Sequence, residues 1–159
     1  MSEYIFFWGT KGRFGFLSNW CESRFTLNGI EFLHAEQAMM YEKAKMMGDE
    51  EIAAEILEME NPSVVKKLGR EVRNFDEKKW GSNRERIVTD ILFAKFSQNA
   101  LLKEKLESTG TAILVEASPW DRIWGIGLRA SHPDAKIPEK WRGLNLLGKC
   151  LMEVRSRLR

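Results

Sequence analysis

Between residues 35 and 107 the chain is punctuated by helix starts and stops, which leaves only short stretches near either end for strands. From about Ala35 to Met47 the pattern is helical, and Gly48 stops it. Asp49 then caps a second helix, Glu50 to Met59, whose carboxylates are loaded at the start, where the helix dipole favours them. Asn61-Pro62 reads as an N-cap and first helical residue for a third, shorter helix through Leu68. Ser82-Asn83-Arg84-Glu85 reads as a capping box that opens a helix to about Ser97, with Ile87, Val88, Ile91 and Leu92 as its buried stripe. Another amphipathic segment covers Ala100 to Glu107.

Strand-like runs flank this helical stretch. Tyr4 to Trp8, Arg24 to Leu27 and Ile30 to Leu33 are short, and Asn28-Gly29 between the last two predicts a type I′ hairpin, a turn with positive φ at both positions. Thr111 to Ala117 is continuous enough for a central strand. Leu144, Leu147, Leu151, Val154 and Leu158 recur at helical spacing, and Gly148 among them marks a close-packing point. Thr10 to Asn19 and Ser118 to about Arg142 read as loops, the first basic and aromatic, the second rich in Trp and Gly. The expectation is an α+β fold, a mostly helical single domain over residues 1–159 with a small mixed or antiparallel sheet.

Composition excludes classes without choosing a function. A chain of 159 residues can bury a core without a metal or disulfide staple, and a net charge of +2 points to no particular partner. Cys21 and Cys150 are isolated, and neither His34 nor His132 forms a ligand pattern with them, so neither metal nor cofactor is expected. Met1-Ser2-Glu3-Tyr4 carries no basic region, the run Ile5 to Trp8 is too short for a signal peptide, and nothing approaches the ~20 apolar residues of a membrane span. These features read as cytoplasmic, with no membrane partner. Gly125-Ile126-Gly127-Leu128-Arg129-Ala130 matches G-x-G-x-x-A, but Ser131-His132-Pro133-Asp134 cannot open the helix that a dinucleotide site requires.

Two segments suit chemistry. On the first helix Glu36 and Lys43 are seven residues apart, so they share a face within ~20° and sit ~10 Å apart along the axis, with Met40 between them. If that face points inward, both pKa values shift; if outward, these are unrelated surface charges. In the second segment Asp121 follows Glu116 and lies between Trp120 and Trp124, rings suited either to stacking on a planar base or to anchoring a core. The basic stretch 66–86 reads either as a solvated face or as a source of arginines for a phosphate.

Several pieces occur together in the order of a known family. They are Phe16-Leu17-Ser18-Asn19, Phe32 with Ala35-Glu36-Gln37 and Lys43-Ala44, Gly69-Arg70-Glu71-Val72, Trp80 with Arg84, Lys95-Phe96-Ser97-Gln98-Asn99, Thr109-Gly110, and Glu116 through Asp121 to Trp124-Gly125-Ile126-Gly127. From about Tyr4 to Leu151 the chain resembles the NADAR family, the YbiA-like N-glycosidases. Gln37 departs from it, standing where many members carry histidine.

The resemblance implies hydrolysis of an N-glycosidic bond between ribose and a nitrogenous group. The implied substrate is a phosphoribosylated aminopyrimidine intermediate of riboflavin biosynthesis, a damage-prone metabolite, with release of ribose 5-phosphate. Other members remove ADP-ribose from guanine in nucleic acid, and a non-catalytic module that binds nucleotide or ADP-ribose is the competing class. Under this reading Glu36 and Asp121 converge on one anomeric carbon as it becomes cationic. Lys43 acts as a cation or, as a neutral amine, attacks C1′. Trp80 or Trp124 stacks on the base, Phe16, Asn19, Gln98 and the Gly125 backbone line the site, and Arg13 and Arg70 are phosphate candidates.

Overall fold

A computed structural model describes residues 3–159; Met1 and Ser2, part of the N-terminal segment read above as carrying no leader, lie outside the described residues. In chain order the elements are strands β1 (Tyr4–Phe7), β2 (Phe25–Leu27) and β3 (Ile30–Phe32), then helices α1 (Ala35–Met46), α2 (Glu50–Leu57), α3 (Pro62–Arg70), α4 (Glu77–Ser97) and α5 (Ala100–Glu107). Strand β4 (Ile113–Glu116) and helix α6 (Leu146–Leu158) complete the chain, with short 3₁₀ turns at Gly15–Leu17 and Pro138–Lys140. The fold is α+β and mostly helical. No helix among the described residues is long and apolar enough to cross a membrane.

The described residues form two compact units, one continuous (Glu22–Asn99) and one built from the chain up to Cys21 together with Ala100–Arg159. In the continuous unit, β2 and β3 pair antiparallel with Phe25 opposite Phe32. Asn28 and Gly29 have φ of 52° and 80°, the left-handed pair that the turn between these strands requires. Helix α1 packs on α2, α3 and α4, and its buried face carries Ala38, Met39, Met40 and Ala44. Gly48 at φ 78° ends the turn after α1, and Asp49 caps α2 by accepting from the Ile52 amide at 3.1 Å. Asn61 caps α3 in the same way, with Pro62 in its first turn.

The fourth helix corrects the sequence reading. It starts at Glu77, with Asp76 accepting from the Lys79 amide at 3.0 Å, so Ser82 is no cap. Inside the helix the Ser82 hydroxyl donates back to the Lys78 carbonyl at 2.7 Å. Gly81-Ser82-Asn83 looks like a break in sequence, yet Asp76 supplies a start signal six residues earlier, and Trp80 is buried.

In the discontinuous unit, β4 pairs in parallel with β1, Tyr4 opposite Ile113 and Phe7 opposite Glu116. Among the described residues the strands form two separate two-stranded sheets rather than one small sheet, and β4 is central to neither. Its apolar continuity has another cause: α6 covers it, and Leu114 and Val115 are fully buried. The gap before α6 is closed by Asn145, at φ 52°, which donates to the Leu114 carbonyl and accepts from the Glu116 amide, both at 3.0 Å. Gly148 is the close-packing point that its position suggests, since a Cβ there would lie 2.1 Å from the Leu114 oxygen.

Candidate active site

The chemistry-bearing side chains of the continuous unit are set by the start of α1. His34 is its N-cap: Nδ1 accepts from the Gln37 amide at 3.1 Å, which leaves the proton on Nε2 to donate to the Glu60 carbonyl at 2.9 Å. Burial lowers the His34 pKa, so the ring stays neutral in this role. Gln37 is almost wholly buried and its side chain bonds four backbone groups, the longest bond being to the Leu57 carbonyl at 3.5 Å. Its Oε1 accepts from the Leu33 amide at 2.8 Å, and its Nε2 donates to the Ile56 and Met59 carbonyls, both at 3.1 Å. Gln37 thus places an amide where the chain needs donor and acceptor together.

Between these two pegs, Glu36 occupies the first turn of α1 with 4% of its surface exposed. Two turns on, the half-buried Lys43 holds its Nζ 4.7 Å from the centre of the Phe75 ring. Burial is the largest influence on Lys43 and lowers its pKa; Arg70 pushes the same way, while Glu36 and Glu77 pull it back up. The face carrying Glu36, Met40 and Lys43 thus points inward. Met40 lies against Gly69 of α3, where a Cβ would fall 2.0 Å from its sulfur.

Phe75 is held by an anchor one residue pair upstream. Arg73 donates to Asp49 from its backbone amide at 2.9 Å, and its guanidinium adds a 2.8 Å bond to Oδ1. The Asp49 carboxyl is kept far below the usual carboxylate range, chiefly by the guanidinium and then by the amide of Arg73. One aspartate therefore caps α2 and pins the segment that carries the ring over Lys43.

The other expected residues of this unit divide in character. Arg70 is exposed in the last turn of α3 yet close enough to influence Lys43. Trp80 is 6% exposed and forms part of the core. Gln98 gives both ends of its amide to Thr26, accepting from its N–H at 2.8 Å and donating to its carbonyl at 2.7 Å, so it extends the β2 edge. Phe75 and Glu77 escaped the sequence reading; recognising Asp76 as an N-cap would have placed Glu77 in the first turn of α4.

In the discontinuous unit, Phe16 and Asn19 are buried, and the Asn19 Oδ1 has no hydrogen-bond partner. Such an orphaned acceptor is uncommon and suits a ligand donor. Arg13 is exposed, its guanidinium 5.1 Å from the Phe14 ring centre. Asp121 spends Oδ1 on the amides of Ile123 and Trp124, both at 2.9 Å, which shapes the loop that presents the half-buried Trp124. Trp120 is exposed rather than a core anchor. Gly125 is buried, and its carbonyl accepts from the Asn145 amide at 3.0 Å. Glu36 and Lys43 belong to one unit and Asp121 and Trp124 to the other. Among the described residues no group of three or more His, Cys, Asp or Glu is placed to hold a metal ion.

The NADAR domain pattern matches residues 6–159. The N-glycosidase R617 of Acanthamoeba polyphaga mimivirus is 45% identical over 97% of this chain and 95% of its own length. The N-glycosidase YbiA of Escherichia coli is 32% identical over 97% of this chain and 88% of its own. The NMR structure of the E. coli protein YbiA superposes with a TM-score of 0.79, covering 99% of this chain and 86% of that one at 31% identity. The riboflavin biosynthesis protein VVA0006 of Vibrio vulnificus is 29% identical over 99% of this chain, which spans 39% of that protein.

Proposed function

The chain belongs to the NADAR family and is an N-glycosidase, and from that premise we propose that it hydrolyses a phosphoribosylated aminopyrimidine to ribose 5-phosphate and free base. The substrate class is supported by the relative named for riboflavin biosynthesis. The observation that carries the catalytic reading is Lys43: an amine with a lowered pKa, half-buried under Phe75, on the same inward face as the buried Glu36.

A lysine pushed toward its neutral form holds a lone pair, and a lone pair can attack C1′ of the ribosyl group. As the Nζ–C1′ bond forms, the C1′–N bond to the base breaks and the base leaves with that electron pair, taking up a proton. Protonation of the ring oxygen opens the sugar and leaves a Schiff base between C1′ and Nζ. Water adds to that carbon, and the amine is released with ribose 5-phosphate. Positive charge accumulates on the sugar in the first and second of these steps, where the Glu36 carboxylate stabilises it; in the last, Glu36 is the base that activates water. Glu36 also favours protonated Lys43, but burial is the larger influence and prevails.

The test is turnover of a phosphoribosylaminopyrimidine in the presence of borohydride. The expected results are free base by chromatography and a peptide containing Lys43 carrying the reduced sugar phosphate. Release of base without that adduct removes Lys43 as nucleophile, and no release removes this substrate class. Glu36→Gln should lower turnover by ~100-fold or more, the scale of lost acid–base catalysis, with an unchanged melting temperature.

A further inference from the structure

One cation in the continuous unit lacks the company that buried charge requires. Arg84 lies two turns into α4 after Glu77 and one turn after the buried Trp80. Its side chain is 14% exposed, and its Nε is buried without a hydrogen-bond partner. Its ion pair is long: Nη1 stands 3.9 Å from a carboxylate oxygen of Glu77, a side chain 74% exposed. Guanidinium carries five N–H donors in a planar fork, and its Nε edge with one Nη matches two oxygens of a tetrahedral anion. A largely desolvated guanidinium with an idle edge and one weak, water-facing partner is poised for an anion that arrives from outside.

We propose that Arg84 holds the phosphate of the ribosylated substrate, with Glu77 as the internal anion that occupies its neighbourhood until phosphate arrives. The proposal rests on the N-glycosidase reading for what carries the phosphate, but not for the anion site itself. Glu77 connects Arg84 to the chemistry, because the same carboxylate acts on Lys43 from the first turn of α4. A phosphate bridged by Arg84 displaces Glu77 into water, where most of that side chain already stands. The sequence reading favoured Arg13 and Arg70 by charge alone; both are exposed, and neither offers a buried donor edge.

Inorganic phosphate, ribose 5-phosphate and ADP-ribose titrated into ¹⁵N-labelled protein test this directly. The Arg84 Nε–H resonance should move in wild type, and Arg84→Gln should weaken binding by about 10- to 100-fold, the scale of a lost charge-assisted pair. Arg84→Lys keeps the charge without the fork and should weaken binding less, while Glu77→Gln should tighten it by removing the competitor. Weakening confined to ribose 5-phosphate assigns a monoester to Arg84, and weakening confined to ADP-ribose assigns a diphosphate. A purely structural Arg84 predicts a static Nε–H signal and unchanged affinity in all three variants, and that result overturns the proposal. Because the titration needs no turnover, phosphate binding at Arg84 without base release would refute the proposed aminopyrimidine substrate alone.

Discussion

Glycines within α4 and α6 should respond to the same substitution with opposite sign. Gly→Ala inside a helix ordinarily stabilises by about 1 kcal/mol, because alanine loses less backbone freedom on folding. At Gly148 a Cβ would lie 2.1 Å from the Leu114 oxygen and 2.4 Å from the Asn145 Nδ2. Relief requires α6 to move off β4 or the Asn145 side chain to abandon its bonds to Leu114 and Glu116. Two buried hydrogen bonds at about 1 kcal/mol each, with overpacking of about 1–3 kcal/mol, outweigh the propensity gain and leave a net loss of about 2–4 kcal/mol. For a chain of this length that corresponds to a fall in melting temperature of roughly 5–15 °C. Gly81 in α4 is the control, since nothing lies within 4 Å of a Cβ there; Gly81→Ala should gain about 0.5–1 kcal/mol. Urea unfolding of both variants gives the free energies, and equal m-values would show that the denatured state is unchanged. A Gly148→Ala protein as stable as wild type, or two glycines that respond alike, would refute the close-packing argument.

Two further outcomes follow from the titrating groups. Arg73 holds the Asp49 carboxyl below its unfolded value of about 4, so its stabilisation is complete above that pH and lost as pH falls below it. Asp49→Asn should therefore lower the melting temperature at neutral pH, and its gap to wild type should shrink progressively as pH falls below about 4; a constant gap at every pH would contradict this linkage. The rate of base release should rise with pH as Lys43 loses its proton, with a midpoint below the ordinary lysine value of about 10.4. Arg70→Gln removes a cation that disfavours protonated Lys43, so the midpoint should move upward; a static or falling midpoint would detach Arg70 from Lys43.

Local signals in the sequence were legible wherever short-range chemistry decides the outcome. Asn28-Gly29 demands its turn, Gly48 its left-handed stop, and Asp49 and Asn61 their caps, and each is observed. Misreadings arose where a tertiary partner sets the answer. Thr111 to Ala117 looked central because it is apolar on both faces, yet the cover comes from α6 rather than from a third strand. Ser82 offered a capping sequence that Asp76 pre-empted. In the candidate site, the shared face of Glu36 and Lys43 followed from helical spacing, whereas its inward direction and the ring above Lys43 did not. The segment that carries Phe75 is tied down by the bond between Asp49 and Arg73, 24 positions apart, and no local pattern encodes that bond.

The same distinction separates architecture from chemistry among the buried polar residues of the continuous unit. His34, Gln37 and Asp49 each have closed hydrogen bonds to backbone groups, and each bond fixes an end of α1 or α2. Replacing any of them strands a buried partner, so they belong to the frame. Lys43 and Arg84 differ in kind: one is an amine whose pKa burial lowers beside an aromatic ring, the other a guanidinium whose buried Nε has no hydrogen-bond partner. Burying a cation with so few compensating contacts is unfavourable. Under the proposed chemistry, an incoming phosphate and an electrophilic sugar carbon would supply these groups with the compensation that the protein withholds.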